Sequence, residues 1–126
     1  GSRCGRNNTT SSNNTGVGFM ALEQVTTGQS NCAIGQRAGD SITTGINNTC
    51  LGNDADVSSA TVSNEITLGN SSVTSLRIPG LQSGASDGQV LTYNASNGNI
   101  TLADASGGGG GGMSRAQSTA IALVFS

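Results

Sequence analysis

The sequence predicts an all-β chain of short-period β-solenoid or β-roll type, assembled from copies of a 17-residue unit. Three observations predict it. Gly1, Gly18, Gly35, Gly52 and Gly69 recur every 17 residues without a slip. An apolar residue stands directly before each internal glycine, at Val17, Ile34, Leu51 and Leu68. Composition is the third: Gly, Ser, Thr and Asn make up about half of the chain, aromatic residues 2% and charged residues 10%. A globular core needs large side chains to offset the entropy lost on ordering, and few are present. Disordered chains combine high net charge with no apolar periodicity, whereas here the net charge is −2 and the apolar column is regular. Such a unit cannot bury its apolar side alone, so the thin column is expected to be completed by other copies of the chain.

Residues 1–76 hold the repeats and read as a shaft. Val17, Ile34, Leu51 and Leu68 are expected to form its packed core, and Gly18, Gly35, Gly52 and Gly69 its turns. Glycine suits the turns because a tight corner needs positive φ and close backbone approach. Three residues after the glycine comes a small-residue column, Cys4, Ala21, Ala38, Ala55 and Ser72. Asn14, Asn31 and Asn48 stand four before a glycine, with Glu65 in that place in the fourth copy. Asparagines at the same place in successive copies can hydrogen-bond along the stacking axis. Thr9-Thr10-Ser11, Thr26-Thr27-Gly28 and Thr43-Thr44-Gly45 mark the next corner, with Ala60-Thr61-Val62 as a decayed version.

Residues 77–104 read as a connector. Pro79 cannot donate to a ladder, and Pro79-Gly80 is a turn signal. Two strands are expected after it, from Gln89 to Tyr93 and from Asn99 to Leu102, joined by an Asn97-Gly98 turn. Residues 105–112 end in six glycines and read as a flexible linker. Residues 113–126 change character again. Ser114-Arg115-Ala116-Gln117 has capping-box spacing and favours a helix over a strand. Ile121, Leu123, Val124 and Phe125 are too apolar to stay exposed, which predicts intermolecular docking.

A resemblance sharpens this reading. Asn31-Cys32-Ala33-Ile34-Gly35-Gln36-Arg37-Ala38-Gly39 and Thr43-Thr44-Gly45-Ile46-Asn47-Asn48-Thr49-Cys50-Leu51-Gly52 resemble the Asn-Thr-Ala-Ile-Gly repeats of phage tail-fibre and related virion appendage proteins. They are similar also to the head repeats of trimeric autotransporter adhesins. Glu65 to Arg77 resembles the piece that closes such repeat runs, and Gly88-Gln89-Val90-Leu91-Thr92-Tyr93-Asn94 a short strand unit found further along those fibres. The resemblance implies an elongated, intertwined homotrimer. It departs from the family in two ways: the period of 17 exceeds that of adhesin heads, and neither a chaperone segment nor a receptor-binding tip is recognisable.

Catalytic chemistry finds little to work with. His and Lys are absent, which removes the usual general bases and Schiff-base nucleophiles. Asp54 and Asp56 could in principle ligate calcium with loop carbonyls, but a solvated edge is the expected reading, and no metal or cofactor is expected. Cys4, Cys32 and Cys50 are expected to be free thiols; Cys32 and Cys50 sit in neighbouring columns that point to opposite faces. Five arginines without a cluster give no footprint for nucleic acid. No run of 18 apolar residues is present, so no membrane insertion is expected. The sequons Asn47-Asn48-Thr49 and Asn99-Ile100-Thr101 arise by composition.

The functional expectation is therefore a structural, non-enzymatic fibre segment of a virion tail or capsid appendage. Its partners would be its own copies, other virion structural proteins and a host-surface receptor or glycan. The alternatives are an adhesin head on a cell surface and a subunit of a polymerising extracellular filament.

Overall fold

The structure, a computed structural model, describes residues 1–105. The helix expected within 113–126 and the docking residues Ile121, Leu123, Val124 and Phe125 lie outside the described residues, as does most of the 105–112 linker. The described chain is all-β but for one helical turn. It divides into two compact units, Gly1–Ser75 and a second beginning at Leu76.

In the first unit each full repeat contributes one three-residue strand: β1 (Thr15–Val17), β2 (Cys32–Ile34), β3 (Thr49–Leu51) and β4 (Ile66–Leu68). They form one parallel sheet in sequence order, β1-β2-β3-β4. The register joins Thr15, Cys32, Thr49 and Ile66, so each repeat is displaced by one period onto the next. Identical spacing brings identical turns into contact. Gly35 has φ 138°, and a Cβ there would collide with the carbonyl oxygen of Gly52, so no other residue fits without movement.

The inside of this unit differs from the expected one. Val17, Ile34, Leu51 and Leu68 are 37–55% exposed, and the chain's own core lies on the other side of the strands. That core is Ala21, Leu22, Val25, Ala33, Ala38, Ile42, Cys50 and Ala55, each 2% exposed or less. The physical reason is strand length. In a three-residue strand the middle side chain points one way and the two flanking ones the other. The turn residues carry enough apolar volume to close over the small middle residue, and this leaves the larger flanking residues outward. Leu22 supplies much of that volume. Its counterpart one period on is Gly39, where a Cβ would lie 3.0 Å from Leu22 Cδ2 and 3.1 Å from Ile42 Cδ1.

The second unit opens with α1 (Pro79–Gln82), where the sequence suggested only a turn. Proline suits the first position of a helix, where its missing N–H costs nothing. The unit continues with an antiparallel hairpin, β5 (Gln89–Asn94) and β6 (Asn99–Asp104), each strand starting where expected and running longer at its C-terminal end. The hairpin turn includes Asn97-Gly98; Gly98 has φ 74° and donates its N–H to Asn94 O at 2.8 Å.

Candidate functional site

A ladder of amides fixes the first unit from within. Asn14, Asn31 and Asn48 stand just before their strands, and Asn31 and Asn48 are 1% exposed. Each side-chain oxygen accepts the backbone N–H one repeat on: Asn31 N–H to Asn14 Oδ1 at 2.8 Å, Asn48 N–H to Asn31 Oδ1 at 3.0 Å, and Glu65 N–H to Asn48 Oδ1 at 3.0 Å. Each Nδ2 donates to a corner carbonyl, on Gly28, Gly45 and Val62, at 2.8–2.9 Å. A buried amide left unpaired is expensive, and here donor and acceptor are both satisfied. The threonine column adds a second ladder: Thr9, Thr26 and Thr43 donate Oγ1–H to the carbonyls of Thr26, Thr43 and Ala60 at 2.8–3.2 Å.

Glu65 ends the asparagine ladder. Its carboxylate accepts the N–H of Ser58 at 2.7 Å and the Ser58 hydroxyl at 2.6 Å. Those bonds, led by the Ser58 hydroxyl, hold its pKa below the ordinary carboxylate value.

What these ladders present is the candidate site. Two columns share the outer face of the parallel sheet: Thr15, Cys32, Thr49 and Ile66, and beside them Val17, Ile34, Leu51 and Leu68. No ionisable group other than the Cys32 thiol stands in either column, and Ile66 is 72% exposed. All four glycines expected at turns directly follow these strands, so the residues expected as core and turn are brought together, but around an outward face. The sequence reading set the Cys32 column opposite that of Cys50 but did not count it as part of a site. Its signal was the register itself, since residues flanking the middle of a short strand always share a face.

The remaining candidates are occupied by local chemistry. Asp56 accepts from the Ser41 hydroxyl and from Val57 N–H at 2.9 Å. Asp54 accepts from Asn53 Nδ2 at 2.7 Å and lies 3.6 Å from Arg37 Nε, which also bonds Asp40 at 2.9 Å. The expected solvated edge describes Asp54, whereas Asp56 ties two repeats together. Among the described residues no group of three His, Cys, Asp or Glu is placed to hold a metal ion. Cys4, Cys32 and Cys50 are free thiols. Cys50 is fully buried, and burial, with Asp56 second, pushes its pKa up to about 11. It is therefore a protonated packing residue at neutral pH.

Mechanically the arrangement amounts to an uncharged strip on a hydrogen-bonded backing, with one column wholly apolar and the other mixing threonine, cysteine and isoleucine. No protein-family model, curated protein or solved structure matches this chain.

Proposed function

We propose that the chain is a structural fibre segment, a trimeric shaft or attachment element of a virion appendage that holds a binding or assembly partner at a distance. In this reading residues 1–76 form a β-solenoid, and three copies close their sheet faces on a common axis. One observation carries it: the bare apolar face of β1–β4. Parallel sheets are ordinarily covered on both faces, and apolar strips left open on a monomer mark a protein interface.

Other features support the partner being the same chain. All copies share one repeat length, so side-chain ladders on neighbouring copies keep step along the whole face. No charge has to be desolvated on contact, because neither column carries one. The appendage role itself rests on the resemblance of the repeats and of the segment from Glu65 to Arg77 to virion fibres.

Native mass measurement at micromolar concentration tests the assembly. The expected outcome is a mass of three chains with no monomer. A folded, persistent monomer would overturn the reading.

A further inference from the structure

We propose that the outer edge of β1 is a strand-addition site whose occupant is one further rung of this repeat pattern. The rung is a 17-residue segment that carries asparagine over Asn14 and leucine over Gly5.

The two ends of the sheet are unlike. β1 and β4 are its edge strands. At β4 the pattern stops. Glu65 replaces the asparagine and its carboxylate is engaged by Ser58. A Cβ on Gly69 would strike the Val73 side chain, whereas a Cβ on Gly35 would strike the next glycine turn, at Gly52. At β1 the pattern is ready to continue. In the internal repeats the glycine N–H donates to the previous strand, Gly35 to Val17 O and Gly52 to Ile34 O, both at 2.8 Å. The asparagine carbonyl accepts from that strand, Asn31 O from Thr15 N–H and Asn48 O from Cys32 N–H, both at 2.8 Å. The asparagine N–H in turn donates to the previous Oδ1 at 2.8–3.0 Å. Gly18 N–H, Asn14 C=O and Asn14 N–H are the same three groups at β1, and among the described residues no strand lies beyond them. Unpaired backbone groups on an edge are a template for another strand, and the asparagine ladder fixes that strand's register.

A cavity specifies the side chain that arrives with it. About 100 Å³ opens at this end, floored by Leu22 and Val25 and walled by Cys4, Gly5, Asn14 and Gly16. An apolar cavity of about 150 Å³ takes a benzene ring; this smaller one suits an aliphatic side chain. Gly5, Leu22 and Gly39 share one column, with φ of 59°, 54° and 60°. The space over Gly39 is filled by Leu22 of the previous rung, whose Cδ2 lies 3.0 Å from where a Cβ would stand. Over Gly5 a Cβ would meet nothing within 4 Å among the described residues. Leucine and glycine therefore alternate through these three rungs, and the rung that fits over Gly5 carries leucine. The sequence of 18–34 meets every requirement: laid over 1–17 it sets Leu22 on Gly5, Asn31 on Asn14 and Ala33 on Gly16. The sequence of 35–51 keeps the asparagine but sets Gly39 on Gly5 and leaves the cavity open. A second copy arriving by its β4 end would set Glu65 on Asn14 and Asp56 on Gly5, a mismatch at both places.

Fusing a second copy of 18–34 ahead of Gly1 in the full chain tests the edge. Amide exchange at Asn14 and Gly18 should slow by at least about tenfold, and unchanged exchange would overturn the proposal. Within the added rung alone, Leu22→Gly and, separately, Asn31→Ala should each abolish the slowing. These changes leave the original repeats untouched, and full protection retained in either would defeat the stated chemistry. A fused 35–51 should give the weak protection of the Leu22→Gly form; protection equal to that from 18–34 would overturn leucine as the determinant. In the unmodified chain, exchange at both amides should not depend on protein concentration in the micromolar range. Slowing with concentration would give the edge to a second copy and defeat the proposal.

Discussion

Asn31 and Asn48 illustrate how much of the fold is settled at single residues. Each buries a whole amide and matches donor and acceptor across two neighbouring repeats. In Asn31→Ala the N–H of Asn48 and the carbonyl of Gly45 lose their partners inside the protein. At about 1–3 kcal/mol for each orphaned group, the variant should lose about 2–6 kcal/mol, read as a lowered urea midpoint. Met20 makes the opposite case. It holds φ 60°, a region that a straight apolar side chain disfavours and asparagine tolerates. Met20→Asn should therefore raise the midpoint, by about 0.5 kcal/mol. The asparagine column was legible because its spacing repeats and its chemistry suits a ladder. The side of the strand that faces inward was not. Large residues at Val17, Ile34, Leu51 and Leu68 argue for the interior by themselves, and only the combined volume of Leu22, Val25 and Ile42 overrules them. Val25 and Ile42 did carry a signal, since each stands directly before a Thr-Thr pair. Leu22 carried none, because its counterpart is Gly39 and the pair packs only as unlike partners.

At the scale of elements, the sheet has two faces with different owners. Ile42 belongs to the chain's own core and Leu51 to the outer face. An unpaired charge in a packed interior costs several kcal/mol, so Ile42→Asp should abolish cooperative unfolding and β-type circular dichroism. Leu51→Asp should leave the monomer's β signal in place while releasing copies from one another, seen by sedimentation. Equal loss of β signal in both would mean that the outer face is part of the folding unit. The same sheet sets two pH limits. Cys50 holds its proton to about pH 11 against 9.0 for a free thiol, because burial disfavours the thiolate. Below pH 9 both states keep the proton and nothing is lost; between about 9 and 11 only the unfolded chain releases it. Stability should therefore fall by about 2–3 kcal/mol across that window, and Cys50→Ala should flatten the fall. Glu65 works in the acid direction. Its pKa is lowered by Ser58, so its contribution is present above the ordinary carboxylate pKa and disappears as pH drops through the lower, folded value. Glu65→Gln should remove that acid limb from the unfolding profile.

For the whole molecule, the question is which part holds the copies together. The first unit supplies a long uncharged strip, repeated in register over four strands. Beyond Asp104 the sequence carries a glycine run and one apolar pentapeptide. The sheet face is thus the larger and more regular surface, and assembly should depend on it alone. Removing residues 105–126 should still give the mass of three shortened chains in native mass measurement and shift the assembly constant by less than about tenfold, roughly 1.4 kcal/mol. In the same chain Ile34→Asp together with Leu51→Asp should yield monomers, because both charges would be buried between copies without a partner. The two changes are diagnostic as a pair. A shortened chain that falls to monomers would move trimerisation to the segment after Asp104, and the bare face of β1–β4 would then need a different partner.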